Sequence, residues 1–164
     1  GQTMNIQQVN INDLLEQILK RLKPIAEKKN VEMVMESFRP VSAEIDETKF
    51  TLAVSNLVEN AIKYNRENGS VTVSAIRKKN EVVLTVSDTG NGIDEAFREQ
   101  IFEPFFRVYK SRSRELGGVG LGLAMVREVV RVHDGTIEVY TNKHSGTTFE
   151  VKMSIERLTI KSQV

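Results

Sequence analysis

Four polar residues near the middle of the chain have the spacing of a single helix face. They occur at positions i, i+3, i+4 and i+7, and they are Asn56, Glu59, Asn60 and Lys63. Amide and carboxylate oxygens are hard donors that suit magnesium, and a lysine one turn further on could reach phosphates that the metal bridges. The alternative is the polar face of any amphipathic helix. Two asparagines inside a helix favour the metal site, because asparagine is a poor helix former.

A carboxylate followed by glycines forms the second candidate site. The sequence D-T-G-N-G-I at 88–93 follows an apolar run typical of a strand, and its glycines let the backbone approach a flat ligand closely. A buried Asp88 needs a hydrogen-bond donor, which the exocyclic amine of adenine supplies and the oxygen of guanine does not. The alternative is an ordinary Asp/Gly turn before a helix capped near Asp94.

The third candidate is a run of glycines, G-G-V-G-L-G-L at 117–123, which precedes an apolar helical segment. A helix that begins there directs unpaired N–H groups and the positive end of its dipole towards a phosphate. A simple hinge is the alternative. The run matches neither G-x-G-x-x-G after a strand nor G-x-x-x-x-G-K-[ST], which disfavours the ordinary nucleotide-binding folds.

The segment 107–118 before the last glycines is polar and has no apolar period, which predicts a mobile loop. It carries four cations, Arg107, Lys110, Arg112 and Arg114. Cations opposite the proposed site would pair with a triphosphate, whereas a solvated basic loop is the alternative.

Two amphipathic helices are predicted in the first half of the chain. Apolar residues at helical spacing extend from Leu14 to Ala26, with Asn12 as the predicted N-cap. A second apolar stripe begins at Phe50 and ends near 65–69, on the side of the helix opposite the four polar residues. The first candidate site therefore faces away from the predicted core.

A third helix and six strands complete the predicted fold. The helix extends from about Leu121 to His133 and is apolar on most sides, which predicts burial. Alternating or continuous apolar runs predict strands at 31–35, 41–45, 71–76, 82–87, 136–140 and 147–153. Together these elements predict an α/β fold, a mixed sheet with helices on one face.

The composition narrows the possible classes of function. With 164 residues, 40% of them hydrophobic and 27% charged, the chain fits one soluble domain with a genuine core. A formal net charge of +1 is too small for the basic field that nucleic-acid binding usually needs. The absence of cysteine excludes disulfides and thiolate metal ligands. No run approaches the roughly 18 apolar residues of a membrane span, and the polar start resembles no signal peptide.

The two histidines receive no catalytic or metal role. His133 comes at the end of the third predicted helix, where we expect its ring to meet the helix C-terminus. His144 lies in a Lys-His-Ser-Gly turn and is expected to be solvated.

Taken together and in this order, the motifs resemble those of the histidine-kinase ATPase domain, a relative of DNA gyrase B, the ninety-kilodalton heat-shock chaperones and MutL. N-L-V-E-N-A-I-K-Y at 56–64 resembles the asparagine box, and D-T-G-N-G at 88–92 the first glycine box. I-F-E-P-F-F-R at 101–107 resembles the phenylalanine box of the kinases, and G-V-G-L-G-L at 118–123 the second glycine box. G-T-T-F at 146–149 resembles the last box. The resemblance extends from about Asn10 to Ser154.

The resemblance implies a Bergerat-type α+β two-layer sandwich, with about three helices on one face of a mixed sheet and a flexible lid over ATP. Asn60 would coordinate Mg²⁺ with help from Asn56, and Glu59 would orient or deprotonate the attacking group. Phosphates would meet Lys63 and either Lys110 or Arg107, and Tyr64 would flank the nucleoside. Asp88 would accept from adenine. Further ATP-site residues implied by the motifs are Gly90, Gly92, Ile93, Phe102, Gly118, Gly120, Leu121, Gly122, Leu123 and Thr147.

The resemblance also implies partners outside the chain. No H-E-x-x-x-P-like motif for a phosphoacceptor histidine occurs, so we expect the dimerisation and acceptor domain upstream. We predict a lead-in at 1–9, the catalytic domain at 10–155 and a polar tail at 156–164. The chain is expected to be a monomeric cytoplasmic domain, and its parent a homodimer, anchored in the inner membrane, that serves a response regulator.

Two other functions remain open at this point. One is an ATPase whose hydrolysis drives a conformational change, which would be marked by a long transducer domain after the last strand. The other is a non-catalytic module that senses ATP. Intact Glu59, Asn60 and Asp88 count against the second alternative.

Overall fold

The computed structural model describes residues 3–37, 39–106 and 122–156. Its helices are α1 Ile11–Lys28, α2 Glu47–Lys63 and α3 Gly122–Val132, and two short 3-10 turns are Glu95–Phe97 and Gln100–Phe102. Its strands are β1 Ile6–Asn10, β2 Glu32–Glu36, β3 Ser42–Asp46, β4 Ser70–Lys78, β5 Glu81–Asp88, β6 Thr136–Thr141 and β7 Thr147–Ser154.

The main sheet has five strands in the order β2-β4-β5-β7-β6. β2 pairs with β4 in parallel, and the remaining pairs are antiparallel. A second, two-stranded sheet joins β1 and β3. This architecture confirms the predicted α/β class, a mixed sheet with three helices.

The N-cap predicted for α1 was wrong by two residues. Asn10 is the cap, and its Oδ1 accepts from the backbone N–H of Asp13 at 3.1 Å. Asn10 ends β1 with extended backbone, as a capping residue requires, whereas Asn12 is already helical. The buried Asn12 side chain instead accepts from the backbone N–H of Val41 at 2.6 Å. Strand β1 was not predicted, because it contains only two apolar residues.

The core lies between the helices and one face of the sheet. Along β4 the side chains of Val71, Val73 and Ala75 alternate inwards and are fully buried. On the opposite face, hydroxyl groups pair across strands, as between Ser74 and Thr85 at 2.6 Å. Alternation of this kind places the apolar residues against the helices and the polar ones in solvent.

The prediction that α3 is buried on most sides was wrong. Its buried face consists of Val126, Val129 and Val130, while Arg127 and Glu128 are exposed. The helix packs mainly against α2 and the second 3-10 turn, and residues 122–125 at its start are half-buried rather than buried. None of the helices in the three described ranges combines the length and the hydropathy that a membrane crossing requires.

Candidate functional site

The predicted polar stripe lies on α2 and is half-buried along its whole length. Asn60 donates from its amide nitrogen to Oδ1 of Asn56 at 3.2 Å, one helical turn back. That bond fixes the orientation of the Asn60 amide, and its own oxygen accepts no hydrogen bond from the described residues. A fixed, uncommitted amide oxygen has the donor chemistry that magnesium prefers.

The two charged members of the stripe are Glu59 and Lys63. Neither Glu59 nor Lys63 forms an ion pair with any residue in the described ranges. The backbone carbonyl of Lys63 accepts a hydrogen bond from Nζ of Lys29, which caps the C-terminal end of α2. The side-chain ammonium of Lys63 pairs with no acidic residue in the described ranges, so nothing described there competes with an anionic ligand.

The N-terminal end of α3 is packed directly against the stripe. A Cβ atom placed on Gly122 would collide with the side-chain amide of Asn56. The two helices therefore approach closely at Gly122, and a side chain there would displace the Asn56 amide. The approach brings Gly122, in the described part of the second glycine box, against the asparagine box. The described end of the predicted glycine motif and the predicted metal stripe thus meet in space.

Asp88 ends β5 with its two carboxylate oxygens in different situations. Its Oδ1 accepts from the backbone N–H of Gly90 at 2.8 Å and from that of Thr147 at 3.0 Å. Its Oδ2 has no hydrogen-bond partner among the described residues. Burial raises the pKa of this carboxyl, and the N–H groups of Thr147 and Gly90 oppose that rise. A donor from a ligand would further stabilise the charged form.

Gly90 brings the segment after Asp88 into close contact with the end of α2. A Cβ atom on Gly90 would lie 2.7 Å from the carbonyl oxygen of Tyr64, so the strand end passes directly beside the last turn of the helix. Gly92, two residues further on, has a φ of 75°, which is a conformation that L side chains rarely adopt. The first glycine box therefore lies against the end of the asparagine box.

Three apolar residues that the motifs implicate lie at or next to the core. Phe102 is buried, and its ring meets that of Phe149 edge to face at 6.2 Å between centroids. The guanidinium of Arg127 lies 5.7 Å from the centroid of the same ring. Ile93 and Leu123 are half-buried against the core. Phe102, Ile93 and Leu123 thus belong to the apolar core or pack against it.

Several predicted ligand residues fall outside the described ranges, as does the expected mobile loop. They are Arg107, Lys110, Arg112, Arg114, Gly118, Gly120 and Leu121. Among described residues, the structure brings together members of the asparagine box, the first glycine box and the last box, with Gly122 of the second glycine box. Those residues are Asn56, Glu59, Asn60, Lys63, Tyr64, Asp88, Gly90, Gly92, Gly122 and Thr147.

Sequence reasoning missed two asparagines beside Asp88. Asn65 follows Tyr64 at the end of α2 and is only 6% exposed. Asn142 lies in the turn between β6 and β7 and donates to the backbone carbonyl of Asp88 at 2.8 Å. The only available signal was the position of each asparagine at the end of a predicted element next to a motif.

The histidines occupy the environments that were expected. His133 is 1% exposed, and its Nδ1 meets the carbonyl oxygen of Val129 at 2.8 Å in the last turn of α3. His144 is exposed in the turn between β6 and β7.

The fold and the arrangement of these motifs define an ATPase-type domain of the class found in histidine kinases. Residues 45–157 match the family described as histidine kinase-, DNA gyrase B-, and HSP90-like ATPase. The match covers more than half of the chain, and the chain therefore belongs to that family. The resemblance inferred from the five motifs is confirmed.

The relatives are sensor kinases and their catalytic domains. SenX3 of Mycobacterium tuberculosis, named a sensor-like histidine kinase, is 35% identical over 149 residues, which are 91% of this chain and 36% of SenX3. The chain thus spans about a third of that relative's length, since the aligned share is 36%.

Solved histidine-kinase structures share the fold. The catalytic domain of ThkA superposes with a TM-score of 0.84 at 26% identity, over 93% of this chain and 97% of that domain. Full-length ShkA, solved in complex with AMPPNP, gives a TM-score of 0.81 at 27% identity, over 93% of this chain and 31% of ShkA. This chain is accordingly a catalytic ATPase domain of the histidine-kinase type.

Proposed function

We propose that the chain binds Mg-ATP and donates the γ-phosphoryl group to a histidine on a separate phosphoacceptor domain of its parent protein. Membership of the ATPase family and the likeness to histidine-kinase catalytic domains support ATP as the nucleotide and histidine as the acceptor. The observation that carries the proposal is the arrangement of the Asp88 carboxylate.

Asp88 presents one oxygen to a ligand while the other is held by the protein. Because Oδ1 accepts from Gly90 and Thr147, rotation of the carboxylate would break two hydrogen bonds. Oδ2 lies in a half-buried position without a donor from the described residues, and a ligand N–H would satisfy it. The exocyclic amine of adenine is such a donor, whereas guanine has an acceptor there. The arrangement favours ATP over GTP.

The phosphate end of the proposed site lies on α2. The oxygen of Asn60, which accepts from no described residue, is suited to hold Mg²⁺. The ammonium of Lys63, which pairs with no described carboxylate, is suited to contact phosphate oxygens. When bound, Mg²⁺ would neutralise charge on the phosphates. The Asn56 amide, held between Asn60 and Gly122, would keep the metal-binding oxygen in place.

Phosphoryl transfer would then require few groups from this chain. A nitrogen of the acceptor imidazole attacks the γ-phosphorus, and the new N–P bond forms as the bond to the β,γ-bridging oxygen breaks. The electron pair of that bond leaves with ADP, and the imidazole proton passes to Glu59, which lies beside Asn60 and is free of ion pairs with described residues. Positioning and charge neutralisation supply most of the catalysis.

The partners follow from the proposed reaction. We place the phosphoacceptor histidine in a dimerisation domain of the parent, which is then a homodimer, and a response regulator downstream. ThkA has been solved in complex with the response regulator protein TrrA, which supports that pairing. We also place this domain in the cytoplasm and an anchor of the parent in the inner membrane, in keeping with the sensor-kinase names of its relatives.

Titration of ATP and GTP, each with and without Mg²⁺, tests the binding half of the proposal. We expect ATP to bind roughly ten- to a hundredfold more tightly than GTP, because one charge-assisted hydrogen bond distinguishes the two bases. Mg²⁺ should strengthen ATP binding more than ADP binding. Equal affinities for the two purines would contradict the assignment of Asp88 to the base.

Transfer of radiolabel from ATP tests the catalytic half. We compare the chain alone, the chain with its acceptor domain, and the chain with an acceptor domain whose histidine is replaced. Acid-labile label should appear only in the second mixture, and slowly, because the tether that raises the local concentration to about millimolar is missing. Label on His133 or His144 would contradict the proposal. Absence of transfer with normal ATP binding would favour a non-catalytic ATP-sensing module.

A further inference from the structure

Two asparagines on opposite sides of Asp88 contact the segment 88–90, which we call the base-site segment. We propose that Asn65 and Asn142 are positioning residues for nucleotide selectivity: they set where the Asp88 carboxylate stands without touching the ligand. The inference rests on the proposed function, because it concerns the same base site.

Asn142 uses its whole hydrogen-bonding capacity within the protein. Its Nδ2 donates to the backbone carbonyl of Asp88 at 2.8 Å and to Oγ1 of Thr148 at 3.3 Å. Its Oδ1 accepts from the backbone N–H groups of His144 at 3.0 Å and of Gly146 at 3.1 Å. An asparagine amide offers two donors and two acceptor lone pairs, so all four are occupied. Asn142 therefore has nothing left to offer a nucleotide.

The bonds of Asn142 have a direct effect on Asp88. They hold the turn between β6 and β7 so close to Asp88 that a Cβ atom on Gly146 would collide with the Asp88 carbonyl. The next residue, Thr147, supplies one of the two N–H groups that hold Asp88 Oδ1. If Asn142 is lost, the turn can move away and take that N–H group with it.

Asn65 makes the corresponding connection on the α2 side. Its Oδ1 accepts from Oγ1 of Thr89 at 3.1 Å and from the backbone N–H of Arg66 at 2.9 Å. Its Nδ2 donates to the carbonyl of Ser70 at 2.9 Å, and the N–H of Ser70 donates to Thr89 Oγ1, also at 2.9 Å. The base-site segment is thereby joined to the end of the helix that carries Lys63 and Tyr64.

The chemistry of the partners explains why asparagine is needed. At both positions one end of the side chain faces a backbone carbonyl and the other faces hydrogen-bond donors. Only an amide satisfies both ends, since a carboxylate would place an oxygen against a carbonyl oxygen. Asn142→Asp is therefore a disruptive substitution of almost unchanged shape, and the same holds for Asn65→Asp.

Selectivity between ATP and purine riboside triphosphate, which lacks the exocyclic amine, separates positioning from stability. We expect the wild-type chain to prefer ATP, and the ratio of the two dissociation constants to fall roughly tenfold in Asn142→Ala, Asn142→Asp and Asn65→Ala. Loss of folded protein lowers the active fraction but leaves that ratio unchanged. Asn80→Ala, in the exposed turn between β4 and β5, is the matched control and should retain the wild-type ratio.

The same substitution in a chain that lacks the Asp88 carboxylate tests the inference even if one variant folds poorly. In a chain that already carries Asp88→Asn, adding Asn142→Ala should leave the ratio unchanged, because there is no selective carboxylate left to position. If the wild-type chain prefers ATP and the Asn142 and Asn65 variants keep the full preference, the inference is overturned. A wild-type chain without any preference would instead contradict the proposed base site itself.

Discussion

The imidazole of His133 connects the end of α3 to the start of α2, since its Nε2 accepts from the backbone N–H of Asp46 at 3.0 Å. Nδ1 must then carry the proton and donate to the carbonyl of Val129 at 2.8 Å. The ring also lies edge to face with Phe50, 6.1 Å between centroids. With both nitrogens engaged in the core, His133 is a structural residue.

Replacement of His133 should destabilise the fold. His133→Phe leaves the buried N–H of Asp46 without its acceptor, which costs about 1–3 kcal/mol. His133→Gln retains an acceptor oxygen and should cost less. The free energy of unfolding in urea measures both, with His144→Gln in the exposed turn as control. Equal stability of His133→Phe and wild type would show that the bond to Asp46 contributes nothing.

The carboxylate of Asp46 should make stability depend on pH. Burial by itself would raise the pKa of Asp46, but hydrogen bonds from the N–H groups of Asn5 and Lys49, with the charge of Lys49, hold it below its ordinary value of 3.8. A lowered folded-state pKa adds stability above the unfolded value, and this stability is lost as the pH falls through the folded value.

Asp46→Ala should therefore cost about 1 kcal/mol at neutral pH through loss of the N-cap. The difference from wild type should narrow below about pH 4. Unfolding free energies across pH 3–7 measure it, and Glu99→Ala, an exposed carboxylate, is the control. If the difference in unfolding free energy between wild type and Asp46→Ala stays constant with pH, the charge of Asp46 does not contribute to stability.

Asp88→Asn should weaken ATP binding by roughly ten- to a hundredfold, since a hydrogen bond to a charged acceptor is lost. The fold should survive, because an amide oxygen can still accept from Gly90 and Thr147. Calorimetric titration and thermal unfolding measure the two effects, and Asp94→Asn, at an exposed carboxylate, controls for charge. Wild-type affinity in Asp88→Asn would remove Asp88 from the base site.

Asn60→Ala should weaken Mg-ATP binding at least about tenfold while changing metal-free ADP binding less, because the lost oxygen acts through the metal. Parallel titrations of the two ligands measure the difference, and Asn80→Ala is the matched control. Equal losses for both ligands would contradict a metal role for Asn60.

Gly122→Ala should reduce Mg-ATP affinity roughly tenfold by displacing the Asn56 amide that its Cβ would strike. Alanine is the better helix former, so stability should not suffer in proportion. In a chain with Asn56→Ala the collision is absent, and the same substitution should have little further effect. Additive losses in the double variant would mean that Gly122 acts on something other than Asn56.

Local patterns predicted the positions of the candidate site residues best where those residues are close in sequence. The stripe on α2 follows from the helical period, and Asp88 from an apolar strand that ends in glycines. By contrast, Asn65 and Asn142 act on the base-site segment through bonds to Thr89 and Asp88, which are 24 and 54 residues away, and no local pattern indicates such pairings. The same limit applies to β1, whose partner β3 is distant in sequence, and to α3, whose exposed side depends on what packs beside it.

The hydrogen bond from Thr147 to Asp88 spans 59 residues of sequence. During synthesis, α2 and β5 emerge first, yet the carboxylate is not fully held until β7 has paired with β5. A nascent chain would therefore complete the proposed base site only after β7 has paired with β5. Since a ligand stabilises only the state that binds it, nucleotide in the cell would favour the completed domain over partly paired intermediates.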